Sequence, residues 1–388
     1  MVFPGRAPRN EEDKTKDMKA NPRKLLPALA GLVSILLIGE ILAGRLFPQK
    51  TLQAVEKMSL RCYRASDYLP YEYEPGCGDD MAVGNSWTNI AINELGLRGK
   101  SVGEKIKKRI LLVGDSFVFG YGVSEDERIG DVLESGLENV EVISAGFVGD
   151  AGPDTLYLYT KKEGLTLKPD LILLFLFPYN DLSDIEKTVW TVRDNEIQSA
   201  KMPDRMVSNG YLRRSDTSLK YRIPLLGDSH LFQLIFDRID ILTVKLRRKV
   251  FLRLGLIQTA VEDHEKFRDC LYREICGDKW DEAKFKTERI FQLFKQLSDQ
   301  QQVPVLAVTI PLEGQVFGSE QAETLFQQLL RREEIKFLDL IPAFRDSGQS
   351  GSDLFLPDGH WTAAGHEVAA KAAADWLQTL QLPQNDER

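Results

Sequence analysis

The chain has 388 residues, room for one large domain or two ordinary ones, and its 43% hydrophobic and 28% charged content is that of a folded protein. Its formal net charge is −8, unevenly spread: residues 1–50 carry nine Lys/Arg and five Asp/Glu, which leaves −12 on the remainder. An acidic body lacks the basic face that phosphate binding needs, so nucleic acid is excluded as an expected partner, and a neutral or weakly charged substrate fits better.

Residues 1–24 are charged and aperiodic, and are predicted to form a disordered cytoplasmic tail. Residues 25–47 are apolar apart from Glu40 and Arg45. The eighteen residues Leu25 to Leu42 reach about 27 Å as a helix, close to the ~30 Å hydrocarbon core of a bilayer. Seven basic residues precede the segment (Arg6, Arg9, Lys14, Lys16, Lys19, Arg23 and Lys24), and only Arg45 and Lys50 follow it closely. The positive-inside rule then predicts a single-pass anchor with a cytoplasmic N-terminus and a periplasmic or extracellular body. A cleaved signal peptide is the competing reading, but the apolar run is long for one and no small-x-small cleavage site follows. Glu40 lies near the outer end, where a carboxylate reaches the interface. Cys62, Cys77, Cys270 and Cys276 all fall after the anchor, in a compartment that permits disulfides. Four cysteines allow three pairings, of which proximity favours Cys62–Cys77 and Cys270–Cys276.

Residues 48–105 are rich in Tyr, Pro, Gly and Asp and read as a loop-rich leading segment. From residue 106 to 388 the pattern is that of one domain. Buried strands are predicted at 109–113, 140–144, 171–177, 303–310 and 335–339, the third apolar throughout, as in a central parallel strand covered on both faces. Helical stretches at about 125–137, 154–163, 281–300, 319–332 and 362–380 alternate with them, which predicts an α/β parallel sheet of about five strands. Residues of about 182–280 break the alternation as an insertion, placed to cover or border the active-site edge because it leaves the C-terminal end of the third strand. It holds a long amphipathic stretch, His230 to Leu254, with Lys245, Arg247, Arg248, Lys249 and Arg253. That stretch fits a helix packed on the domain better than a membrane-surface helix.

Four short motifs sit at predicted strand ends. Gly114-Asp115-Ser116 follows the first strand, where a serine opening a helix can act as nucleophile with its own N–H as an oxyanion donor. A second copy, Gly227-Asp228-Ser229, follows no buried strand and reads as a turn. Gly146 ends the second strand, where a glycine lets a backbone N–H approach a reacting carbonyl; with Gly149 and Gly152 it also matches a spaced-glycine nucleotide pattern, but only weakly. Asn180-Asp181 follows the third strand, and an asparagine is a donor that does not titrate. Asp358-Gly359-His360-Trp361 lies in the loop before the last helix, with His360 a base for Ser116 and Asp358 its orienting carboxylate. His366 is a poor partner for shared metal ligation with His360, and neither a metal nor a cofactor is expected.

Together these motifs resemble the SGNH/GDSL hydrolase superfamily, whose signature residues match Ser116, Gly146, Asn180 and His360. The segment Asn93-Glu-Leu-Gly-Leu-Arg-Gly99 looks like that preceding the G-D-S strand in bacterial envelope members. The resemblance covers about residues 88–185 and 300–380. It implies a three-layer flavodoxin-like SGNH fold, an acyl-serine intermediate on an ester substrate, and an oxyanion hole from Ser116 N–H, Gly146 N–H and the Asn180 side chain. Asp358 and His360 are spaced D-x-H-W rather than the D-x-x-H common in the hydrolases. That spacing is similar to SGNH-like polysaccharide O-acetyltransferases, so ester hydrolysis and O-acetyl transfer are both implied, with a non-catalytic envelope scaffold as a third possibility.

Overall fold

The computed structural model describes residues 22–49, 59–83, 86–214, 224–239, 242, 260–277, 279–318 and 323–380. The chain divides into two compact units, one of residues 1–52 with 220–243 and one of residues 53–219 with 244–388.

The smaller unit is built on a helix, Pro22–Leu46. Its stretch Leu29–Leu46 has a mean hydropathy of 1.9 and is only 6% buried, so it is long and apolar enough to cross a membrane. A short helix, Pro224–Gly227, and a second helical run at 230–239 complete the described part of this unit. Asp228 and Ser229, of the second Gly-Asp-Ser triplet, join the two. The sequence pattern favoured packing of the 230–254 stretch on the enzyme-like domain. Its described part instead groups with the apolar helix, because Glu40 holds its N-terminus by three hydrogen bonds. Residues 243–254, with the five basic side chains, lie outside the described residues.

The larger unit opens with two antiparallel hairpins, β1 (Tyr63–Arg64) with β2 (Glu72–Tyr73) and β3 (Gly78–Val83) with β4 (Ser86–Ala91). The leading segment is therefore more regular than its composition predicted: strands of two to six residues are too short to show a period against so many Gly and Pro. Tyr63, Tyr71, Tyr73 and Phe147 pack there as an aromatic cluster. Disulfides join Cys62 to Cys77 and Cys270 to Cys276.

The central sheet is formed by β5 (Lys108–Gly114), β6 (Val140–Gly146), β7 (Leu171–Leu176), and then, beyond the insertion, by two strands at 305–309 and 337–339. The insertion contributes the antiparallel pairs β8 (Val189–Arg193) with β9 (Glu196–Lys201) and β10 (Arg205–Ser208) with β11 (Tyr211–Arg214). The last two sheet strands are β12 (Val305–Thr309) and β13 (Phe337–Asp339), and the spatial order is β13-β12-β7-β5-β6, all parallel.

Alternation along the strands builds two cores. Leu111, Val113, Ile172, Leu174 and Leu176 face one side, with helices Pro153–Lys162, Lys279–Gln301 and Leu325–Arg332. Ile110, Leu112, Leu171, Leu173 and Phe175 face the other, with helices Ile129–Ser135, Ile341–Asp346 and Ala363–Thr379. The result is the three-layer α/β architecture the strand–helix alternation predicted. The chain leaves β5 for the edge strand β6 and then crosses back to β7 on the other side of β5. Connections from β5 and β7 thus diverge to opposite faces and open a crevice at their C-terminal ends, where ligands bind in open sheets of this kind.

Candidate active site

That crevice is where the motifs meet. β5 ends at Gly114, and Ser116 opens a single helical turn, Ser116–Phe119. Asp115 caps the turn, its Oδ1 accepting the Phe117 N–H at 3.0 Å. Ser116, as first residue of the helix, has no helical carbonyl for its own N–H. Its hydroxyl lies 2.8 Å from His360 Nε2, a contact spanning 244 positions of sequence.

His360 is set by the turn that carries it. Leu356 N–H bonds the His360 carbonyl at 2.7 Å and Gly359 N–H bonds the Leu356 carbonyl at 2.9 Å. Gly359 has φ +92°, a left-handed conformation that explains a glycine between Asp358 and His360. The imidazole is flanked by Tyr121 and Phe117, with ring centroids at 4.5 and 5.2 Å, and Phe117 rests on the fully buried Trp361 at 4.7 Å. Asp358 Oδ1 is 3.2 Å from His360 Nδ1 and also 3.2 Å from the His360 backbone N–H. The side-chain contact is close enough for an ion pair, but its angle leaves Nδ1 without a directed hydrogen bond. The contact with His360 nonetheless holds the Asp358 carboxyl below its ordinary pKa.

Asn180 stands across the crevice in the first turn of helix Pro178–Lys187. Its Nδ2 donates to Asp115 Oδ2 at 3.0 Å, so the carboxylate beside Ser116 orients the amide and leaves its second N–H for another acceptor. Gly146 faces Gly114 across β5 and β6. A Cβ there would lie 2.1 Å from the Phe119 backbone nitrogen, so any side chain would push the Ser116–Phe119 turn out of place. The glycine thus has a steric task that the sequence reading, concerned with its N–H, did not assign. Asp181 is fully buried, and its Oδ2 accepts the Phe177 N–H at 2.8 Å. Burial, with Asp115 and Asp184 close by, drives its pKa well above the ordinary carboxylate value.

Three further residues matter that had no recognisable signature. Asp115 was noted only as part of its triplet, yet it bridges the Ser116 turn and Asn180. Tyr121 covers the His360 ring. Arg98, 4% exposed, donates to the carbonyls of Phe119 and Gly120 at 3.0 and 2.5 Å and of Val123 at 2.8 Å, clamping the loop that carries Ser116 and Tyr121. Burial, with Arg128 close by, lowers its pKa to about 9, so it remains charged at neutral pH. His366 is buried against Trp361, and burial lowers its pKa to about 3, so it is a neutral core group. No group of three or more potential metal ligands exists among the described residues.

Residues 313–388, which include Asp358 and His360, match the family model described as "SGNH hydrolase-like domain, acetyltransferase AlgX". This end of the chain is similar to an SGNH domain. No curated protein matches the chain in sequence. Among solved structures, the lipase/acylhydrolase from Enterococcus faecalis aligns at 13% identity over 72% of this chain and 100% of that one, with a TM-score of 0.36. Axe2, an acetylxylan esterase from Geobacillus stearothermophilus, aligns at 11% identity over 72% and 97%, with a TM-score of 0.34. The fold assignment rests on the strand order rather than on these superpositions. In SGNH terms, Ser116, Gly146, Asn180 and His360 all lie at the C-terminal edge of the one parallel sheet or in the loop facing it.

Proposed function

We propose that the protein is a serine esterase of the SGNH/GDSL type, held to a membrane by the Pro22–Leu46 helix, which acts outside the cytoplasm through an acyl-serine intermediate. The observation that carries this reading is the 2.8 Å contact between Ser116 Oγ and His360 Nε2 at the C-terminal edge of the sheet. In the first step Oγ attacks the ester carbonyl as its proton passes to Nε2, and the Ser116 N–H, the Gly146 N–H and the free N–H of Asn180 receive the oxyanion. Collapse expels the alkoxide, which takes the proton from Nε2 and leaves the acyl group on Ser116. Water, deprotonated by the same imidazole, then releases the acid. Asp358 steadies the imidazolium that forms in each half-reaction. The β10–β11 hairpin supports a role for the insertion at the site's rim: Leu212 lies over Gly149 and Arg205 pairs with Asp150, both in the loop after β6.

A second reading replaces water by a sugar hydroxyl, making the enzyme an O-acetyltransferase for an envelope or exported polysaccharide. The family description matched by residues 313–388 and the D-x-H-W spacing favour it. A fluorophosphonate probe tests the common step: it should label Ser116, leave Ser229 untouched, and fail on Ser116→Ala. An unlabelled Ser116 with full esterase activity in the alanine variant refutes both readings, whereas an unlabelled Ser116 with no esterase or transferase activity in the native protein would leave the non-catalytic scaffold. Acetyl donor with a sugar acceptor separates the two, acetylated sugar marking the transferase. For topology, protease added outside spheroplasts should digest the body and spare residues 1–24.

A further inference from the structure

A carboxylate within an apolar membrane helix is costly unless it has partners, and Glu40 has three. Its Oε2 accepts from Ser229 Oγ at 2.6 Å and from Leu231 N–H at 3.0 Å, and its Oε1 accepts from His230 N–H at 2.7 Å. Ser229 Oγ in turn accepts the Phe232 N–H at 3.1 Å. The open N–H groups at the start of the 230–239 helix are therefore all taken, two of them by a side chain 190 and 191 positions earlier in the sequence. The joint is close-packed: a Cβ on Gly39 would meet Leu231 at 2.9 Å, and one on Gly44 would meet His230 at 3.1 Å. Ala43 between them is buried, and Gln49 N–H bonds His230 Nδ1 at 3.0 Å just past the end of the apolar helix.

The direction of the second helix follows from what it leaves uncovered. Residues 31–38 on one side of the joint and 45–47 on the other are exposed, so the 230–239 helix crosses the apolar helix rather than lying along it. One face of it is apolar at helical spacing. Phe232 and Phe236 stack at 5.1 Å, and Ile235, Ile239 and Leu242 are 50%, 50% and 68% exposed. The helix starts at the Glu40 joint, and Ile41 and Leu42, which follow Glu40 in the apolar helix, are themselves 58% and 51% exposed.

We propose that residues 230–239 form an interfacial helix latched to the anchor by Glu40, with the Phe232, Ile235, Phe236 and Ile239 face, and Leu242 beyond it, lying on the outer leaflet of the bilayer that the anchor spans. The proposal rests on the anchor reading above. Its occupant is lipid because the face is apolar and exposed, its helix is hydrogen-bonded at Glu40 to a segment long and apolar enough to span a bilayer, and a crosswise helix leaving that level runs in the plane of the membrane. The insertion thereby returns the chain to the membrane at a point fixed by a hydrogen-bonded joint.

The test uses the full chain in vesicles of phosphatidylcholine with phosphatidylglycerol. All four native cysteines are paired, so one introduced cysteine carries the only free thiol for a nitroxide label. Power-saturation measurements compare Leu36→Cys, Ile235→Cys and Asp237→Cys. The expected result is strong oxygen collision and little nickel-chelate collision at positions 36 and 235, with the reverse at 237. Adding Glu40→Gln, which turns an NH2 toward N–H donors, should raise nickel collision at 235 several-fold and leave 36 unchanged; Ser229→Ala should do the same to a smaller degree. A label at 235 as open to nickel as 237, with 36 shielded, overturns the interfacial helix while sparing the anchor. Nickel access at 36 removes the anchor and this proposal with it. Strong spin–spin broadening at 235 would show a second copy on this face, and no response to either substitution would show no latch; each overturns the proposal.

Discussion

Asp115→Asn separates the two tasks of the buried carboxylate beside the nucleophile. In the native protein Oδ1 accepts from Phe117 N–H and Oδ2 from Asn180 Nδ2, each at 3.0 Å, and the side chain is 3% exposed, so water cannot substitute. Asparagine offers one acceptor and one donor in the same positions. Keeping the cap on Phe117 places an NH2 against the NH2 of Asn180, whose amide must then turn its oxygen toward the reacting carbonyl. The expected loss is that of one oxyanion donor, about 10²–10³ in kcat or roughly 2.7–4 kcal/mol, with little change in KM. Stability should not fall in parallel. Burial already holds the Asp115 pKa above its ordinary value, so a neutral amide relieves a desolvated charge while it disturbs one hydrogen bond. The assay is kcat on p-nitrophenyl acetate for Asp115→Asn, Asn180→Ala and the double variant, alongside thermal melts. Because both changes act on the same donor, the double variant should be no slower than Asn180→Ala. Near-native turnover in Asp115→Asn, or losses that multiply in the double variant, would refute the role given to this carboxylate.

Asp358→Ala should slow turnover, but by less than the ~10⁴ of a buried triad aspartate, because this carboxylate is 45% exposed; steady-state rates on the same ester decide. Burial pushes the Asp184 pKa up to about 6 against the pull of Lys187. Between about pH 4 and 6 the folded state keeps a proton that the unfolded state has released, so unfolding free energy should fall as pH rises, by at most about 1.4 kcal/mol per unit from this group. Asp184→Asn should flatten that slope in urea titrations. Arg98→Ala strips three carbonyls of a charged donor and should lower stability by on the order of 3 kcal/mol or more, read from the denaturation midpoint.

What the sequence disclosed follows from how each signal is encoded. Five buried strands and the helices between them show as apolar periodicity, which local burial writes into adjacent letters, and the boundaries agree to within a few residues. Ser116, Asn180 and His360 could be picked out because each follows a strand or opens a helix, positions that chain order reveals. Arg98 could not, since its partners are backbone carbonyls and no residue type marks them. Glu40 looked like an unremarkable interfacial acid because its partners lie some 190 positions away, at and just after a triplet whose resemblance to Gly114-Asp115-Ser116 was itself a distraction. The leading hairpins were hidden by brevity, their order coming from tyrosine packing and a disulfide rather than from alternation.

The distance along the chain between nucleophile and base has a consequence for biogenesis. Ser116 precedes His360 by 244 positions, and the base lies in a turn braced by Trp361 and the helix that follows. A nascent chain therefore emits Ser116 and its turn well before His360, the base of the proposed mechanism, has emerged. On the proposed mechanism, chains released or clipped before residue 360 lack the base and should be inert toward any ester they meet.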